Sequence, residues 1–192
     1  VAVNYSRSRD AAEAVAAEAA SHGVQAIAVQ ADVANDDDCR RLVETTVDSF
    51  GRLDVLVNNA GTTSFIPHHD LESVTAETWQ NIMGVNLIGP FQMARAAAGA
   101  LKASGAGQIV NVSSVAGVYG TGSSIPYRAS KAALNNLTVT LARVMGPEVQ
   151  VNTVCPGFID GSWLQEGFGD AFEAIKQSVV DKSLLRSVCT PE

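Results

Sequence analysis

The chain has 192 residues, 46% of them hydrophobic and 17% charged, with a formal net charge of −7. That length supports a sizeable core, and the composition lies away from disordered and fibrous chains. The acidic balance argues against a nucleic-acid groove or an anionic membrane surface as the main partner, and no apolar run reaches the ~18 residues of a membrane span.

Short β runs alternate with helical stretches, the pattern of a parallel sheet covered by helices. Residues 1–5 read as a strand. Residues 9–22 read as a helix, with Ala12, Val15, Ala16, Ala19 and Ala20 recurring at three- and four-residue steps and Gly23 as its stop. A second strand over 24–29 leads into a turn at 30–33. Asp36, Asp37 and Asp38 open a helix over 36–50, where the helix dipole favours acids. The apolar run 53–57 predicts a strand buried on both faces. Residues 76–104 are helical, with irregularities at Gly84 and Gly89-Pro90. A strand over 108–112 precedes a Gly/Ser-rich loop at 113–124, a helix over 127–145 and a strand over 149–154 that Pro156-Gly157 breaks. Residues 162–186 read as a lid or excursion. No repeat or linker divides the chain, so one domain over 1–192 is expected. Cys39, Cys155 and Cys189 are odd in number and far apart, without metal spacing. Free, packed thiols in a reducing cytoplasm follow, and the first ten residues carry no signal-peptide pattern.

Three signals carry chemistry. Asn58-Asn59-Ala60-Gly61 follows the apolar strand, and ligands of open parallel sheets sit beyond the strands' carboxyl ends; an ordinary Asn-Gly-type turn reads the same way. Tyr127 and Lys131 are four residues apart, hence on one face of a helix. An ammonium beside a phenol stabilises the phenolate and makes it a usable acid or base near neutrality, although such pairs are also common on solvated helices. Ser113 and Ser114 end a strand, where a hydroxyl can bond a substrate oxygen or simply close a turn.

Taken with Asp32-Val33, Asn86 and Pro156-Gly157-Phe158-Ile159, these residues make the chain resemble the short-chain dehydrogenase/reductase family from Val1 to about Ile159. The resemblance implies an α/β fold, a Rossmann-type doubly wound parallel sheet in three αβα layers. It implies a nicotinamide cofactor and hydride transfer to or from a carbonyl or secondary alcohol, as in oxoacyl-carrier-protein reductases and sugar or steroid dehydrogenases. By that resemblance Tyr127 is the general acid/base, and Lys131 lowers its pKa and holds the nicotinamide ribose. Ser114, favoured over Ser113 by the family's step of thirteen to the tyrosine, polarises the substrate oxygen. Asn86 holds a water that links Lys131 to solvent. Asp32 and Val33 flank the adenine, Asn59, Ala60 and Gly61 line the adenosine side, and Pro156, Gly157 and Ile159 lie at the nicotinamide end. A homotetramer or homodimer is also implied; Ala94, Ala97, Ala98, Leu134, Leu137 and Leu141 could form its faces or equally face the sheet.

Cofactor choice follows from the tip after the first strand. NAD-preferring relatives place an acid there for the ribose hydroxyls, whereas this chain has Asn4-Tyr5-Ser6-Arg7. Ser6 and Arg7 suit a 2′-phosphate, so NADP(H) is expected over NAD(H), with a solvated loop charge as the plainer reading of Arg7. The family's TGxxxGxG turn would lie ahead of Val1, and relatives continue past Glu192. The expectation is an internal stretch of a longer domain, lacking the first and last strands. Gly161 stands where relatives often carry threonine, with Ser162 next to it. His68 and His69 lack metal spacing, and Trp163 and Phe168 are candidates for a lid over an apolar substrate. The alternatives to an enzyme are a non-catalytic dinucleotide-binding module and an inactive fragment.

Overall fold

The computed structural model describes residues 1–190. Five parallel strands form two groups. Strand β1 (Ala2–Tyr5) pairs with β2 (Ile27–Gln30) in the register Ala2 to Ile27, and β3 (Val55–Asn58), β4 (Gly107–Val112) and β5 (Val149–Val154) pair in that order. Helix α1 (Arg9–Ser21) packs on β1 and β2. Helices α2 (Asp36–Phe50), α4 (Gly89–Ser104) and α6 (Ile125–Met145) bring the two groups together through one core. That core joins Cys39, Leu42 and Val43 of α2 to Met93, Ala94, Ala97 and Leu101 of α4 and to Leu56, Ile109, Val149 and Val151 of the strands.

Local chemistry sets the helix boundaries. Asn35 caps α2 by accepting from the Asp38 N–H, and Thr75 does the same from Thr78 for α3 (Ala76–Met83). Gly51 ends α2 in the left-handed region at φ 76°. Between α3 and α4 the residues Gly84–Ile88 form a π-turn, the irregularity expected at Gly84 and Gly89-Pro90. Gly89 is required there: a Cβ would come 2.9 Å from the Val33 side chain.

Several expectations are corrected. The second strand begins at Ile27 rather than residue 24, because the ladder starts where β1 offers a partner. Among the described residues one face of strand β3 is covered: Leu56 and Asn58 turn toward α4, while Val55 and Val57 are half-exposed. The loop after β4 contains a one-turn helix, α5 (Ala116–Tyr119), pressed on α6. Its Gly117 is a close-approach residue, since a Cβ would sit 2.6 Å from the Lys131 backbone. Ala94, Ala97, Leu134 and Leu141 are core, with Ala98 and Leu137 packed against them, so these residues form no outward face. Of the three thiols only Cys39 is fully packed; Cys189 is exposed. Burial, with Asp36 and Asp38 adding to it, pushes the Cys39 thiol up to about 11. Residues 162–186 comprise α7 (Ser162–Phe168), a short 3₁₀ turn and α8 (Phe172–Lys182). Residues 191–192 lie outside the described residues.

Candidate active site

The carboxyl ends of β3 and β4, the π-turn and the first turns of α6 converge on Lys131. Its side chain is 95% buried by relative exposure of 5%, and its ammonium donates to the Val112 carbonyl at 2.8 Å. The same nitrogen lies 5.8 Å from the centre of the Tyr127 ring. Burial pulls Lys131 down to about 8. Tyr127 is positioned one turn earlier by the Ser124 cap and by Pro126 in the helix's first turn.

Burial raises the Tyr127 pKa, and the neighbouring Ser114 side chain opposes that rise without reversing it. The Lys131 ammonium lies over the Tyr127 ring and points to the Val112 carbonyl, and the net shift of the phenol in the free chain is upward. The two serines separate cleanly. Ser113 is buried and donates to the Lys131 carbonyl at 3.1 Å, a structural tie between β4 and α6. Ser114 is the one that meets Tyr127.

Asn86 is fully buried in the π-turn. Its Oδ1 accepts from the Thr62 N–H at 2.8 Å, and its Nδ2 donates to the Thr62 carbonyl and the Ser130 hydroxyl at 2.9 and 3.0 Å. It thereby holds the turn at Asn59, Ala60 and Gly61 against α6. A Cβ on Gly61 would come 3.6 Å from the Asn86 Oδ1 and 3.8 Å from the Lys131 nitrogen. The Pro156 carbonyl accepts from the Val115 N–H at 3.0 Å, which brings Pro156 and Gly157 beside the serine loop. Ile159 forms a parallel bridge to Cys189.

At the other end, Ser6 and Arg7 are exposed, and Arg7 has no ion-pair partner among the described residues. Ser6 and Asp32 share an open cleft of about 760 Å³ with Asp38 and Arg41. The Asp32 carboxylate accepts from the Ala34 N–H at 3.0 Å. The Val33 side chain is 9% exposed and packs on Gly89 in the core, while the Asp32 side chain faces the cleft.

Residue reading missed a buried polar chain beneath the site. Asn58 donates to Asn111 at 2.9 Å, Asn111 donates to Thr138 at 2.9 Å, and Thr138 donates to the Leu134 carbonyl at 2.8 Å. It pins β3, β4 and α6 to one another. The signal was present, because Asn111 shares the inward face of the strand with Gly107 and Ile109, where an amide needs a partner. Phe65 was missed as well. Thr63 and Ile66 flank it and both bond Ser123, through the two hydroxyls at 2.6 Å and from the Ile66 N–H to the Ser123 carbonyl at 3.0 Å. No group of three or more His, Cys, Asp or Glu suited to a metal occurs among the described residues, and no helix among them is long and apolar enough to cross a membrane.

This arrangement agrees with what the chain is similar to. The sequence profile of the family described as short chain dehydrogenase matches residues 1–170. A Streptomyces violaceoruber protein assigned as ketoacyl reductase 2 of the granaticin polyketide synthase is 46% identical over the whole chain, which spans 75% of it. A 3-oxoacyl-[acyl-carrier-protein] reductase of Synechocystis is 43% identical over 83% of the chain, which spans 64% of that protein. Among solved structures, a chain assigned as a short-chain dehydrogenase/reductase from Burkholderia xenovorans matches 100% of this chain and 75% of itself at TM-score 0.90 and 38% identity. NAD⁺-bound xylitol dehydrogenase matches 98% of this chain and 77% of itself at TM-score 0.86 and 26% identity. The chain therefore belongs to the short-chain dehydrogenase family.

Proposed function

We propose that the chain carries the active site of an NADP(H)-dependent oxidoreductase that reduces a ketone, of the ketoacyl kind its relatives are named for, to a secondary alcohol. The observation that supports this most is the meeting of Ser114, Tyr127 and Lys131 on Asn86-held backbone, four groups with complementary roles. The residues also fit a nicotinamide cofactor. The buried Lys131 ammonium has a single acceptor among the described residues, leaving N–H donors for ribose hydroxyls. Gly61 leaves its Cβ space open beside that nitrogen.

The bound cofactor supplies the hydride. Ser114 and Tyr127 bond the ketone oxygen from two sides and polarise it. Tyr127 then gives its phenolic proton to that oxygen as negative charge develops there. Its raised pKa keeps the phenol protonated at neutral pH, the state a donor needs. Lys131 stabilises the phenolate left behind, and a water held near Asn86 returns the proton from solvent. Ile88, Phe91, Val139 and Val144 are exposed on the π-turn, α4 and α6, and they are the surfaces on which a homodimer or homotetramer would rest.

A pH dependence follows. With Lys131 lowered to about 8, the free protein holds the ammonium below that pH and loses it above. The kcat/KM for ketone reduction should fall as pH rises through about 8, and a flat profile to pH 10 would contradict the role given to Lys131. For stability the sign is opposite, because the unfolded chain binds the extra proton between about 8 and the ordinary lysine value, so this group's contribution improves with rising pH across that window.

Arg7 and Ser6 support the phosphate-bearing cofactor. Wild-type protein should prefer NADPH to NADH. Arg7→Ala should raise the KM for NADPH about tenfold, the effect of one charge-assisted contact, and leave NADH unchanged. A wild-type preference for NADH would overturn the cofactor assignment.

A further inference from the structure

Four aromatic rings run in a line from α7 to the proposed acid. Phe168 meets Phe65 with ring centres 4.8 Å apart at 78°, Phe65 meets Trp163 at 6.2 Å and 72°, and Trp163 meets Tyr127 at 6.4 Å and 62°. Each step is edge-to-face, the arrangement in which the positive ring edge meets the negative ring face. Phe65 is held on two sides. Thr63 and Ile66, on either side of Phe65, are tied to Ser123 of the loop before α6. At the other end the Phe65 ring tip rests on Gly167, where a Cβ would come 2.0 Å from it. Trp163 remains half-exposed, so indole surface that no described residue covers lies next to Tyr127.

Resting on the reductase reading above, we propose that Phe65 and Trp163 are specificity-determining residues and that the substrate is a ketone bearing a flat, unsaturated, uncharged substituent beside the carbonyl. A flat ring continues the edge-to-face series onto the open indole. A puckered saturated ring of similar area buries comparable apolar surface but gains no quadrupole contact. Gly167 acts as a positioning residue by leaving room for the Phe65 ring.

The test uses matched ketones, acetophenone and cyclohexyl methyl ketone, whose differing reactivity cancels when the ratio of their kcat/KM values is compared between proteins. Phe65→Leu and Gly167→Ala should each lower the phenyl-to-cyclohexyl ratio about fivefold, chiefly through the KM of the phenyl ketone. Gly167→Ala favours the helix intrinsically, so its effect reads the displaced ring. Equal losses on both ketones, or an unchanged ratio, would overturn the proposal. Binding gives a readout independent of turnover. In a Trp79→Phe background Trp163 is the sole tryptophan, and 1-phenylethanol should quench its fluorescence at a concentration about fivefold below 1-cyclohexylethanol. Quenching with that preference but no turnover would refute the reductase reading and keep the aromatic site; turnover with no preference in either assay would do the reverse.

Discussion

Tyr127→Phe should lower ketone reduction by about 10²- to 10⁴-fold while leaving cofactor affinity within about twofold. In the proposed mechanism the phenol bonds the ketone oxygen and surrenders a proton to it, and positioned general-acid catalysis contributes about that much. Phenylalanine keeps the ring that fills the space beside Trp163 and beneath the Lys131 ammonium, so packing is preserved and the loss reads the hydroxyl. Steady-state turnover with NADPH, paired with cofactor titration, measures both quantities. Retained turnover would move the proton donor elsewhere. No turnover from wild-type protein, with cofactor still bound, would instead favour a binding module.

Asn111→Leu should destabilise the fold by about 2–4 kcal/mol, measured by urea unfolding at neutral pH. The Asn111 side chain is fully buried and stands in the middle of the Asn58–Asn111–Thr138 chain. Removing it strips the Asn58 amide of its close acceptor and leaves only the Pro90 carbonyl at 3.5 Å. A buried amide left that way costs its desolvation, about 1–3 kcal/mol, and the branched side chain must be seated between β3 and α6 as well. The double variant Asn58→Leu with Asn111→Leu should cost less than the two single changes summed, because both ends of one bond are then apolar. A loss under about 0.5 kcal/mol for the single variant would show that the chain does not hold these elements together.

Sequence periodicity located nearly every helix, because apolar spacing and caps are local. The 36–50 helix, for instance, is bounded by Asn35 and Gly51, whose chemistry is visible in one dimension. Strand exposure was less legible. The run 53–57 reads as doubly buried, yet which faces of β3 are covered depends on helices far away in sequence, and only the Leu56 side meets one. Glycine was ambiguous for the same reason. Gly117 reads as a loop residue, and its actual role is to let α5 approach the backbone at Lys131.

The site residues were legible through motif spacing: Tyr127 and Lys131 share a helix face, and Ser114 rather than Ser113 meets the phenol. What spacing could not give was direction. The upward shift on Tyr127 comes from burial, a three-dimensional quantity, and the Lys131 contact with the Val112 carbonyl is three-dimensional as well. The wall beside the phenol was half read. Trp163 and Phe168 stand out in a variable segment, but Phe65, about a hundred residues earlier, joins them only through the fold.

The central claim is hydride transfer to a ketone at the Ser114–Tyr127–Lys131 site, and isotope transfer tests it most directly. Protein incubated with NADPH carrying deuterium at the transferring position and with acetophenone should give 1-phenylethanol with one deuterium on its carbinol carbon. The Tyr127→Phe variant should give less than a hundredth of that product. Labelled alcohol from both proteins at similar rates would remove Tyr127 from the chemistry, and no labelled alcohol from wild-type protein with any ketone would contradict the reductase assignment itself.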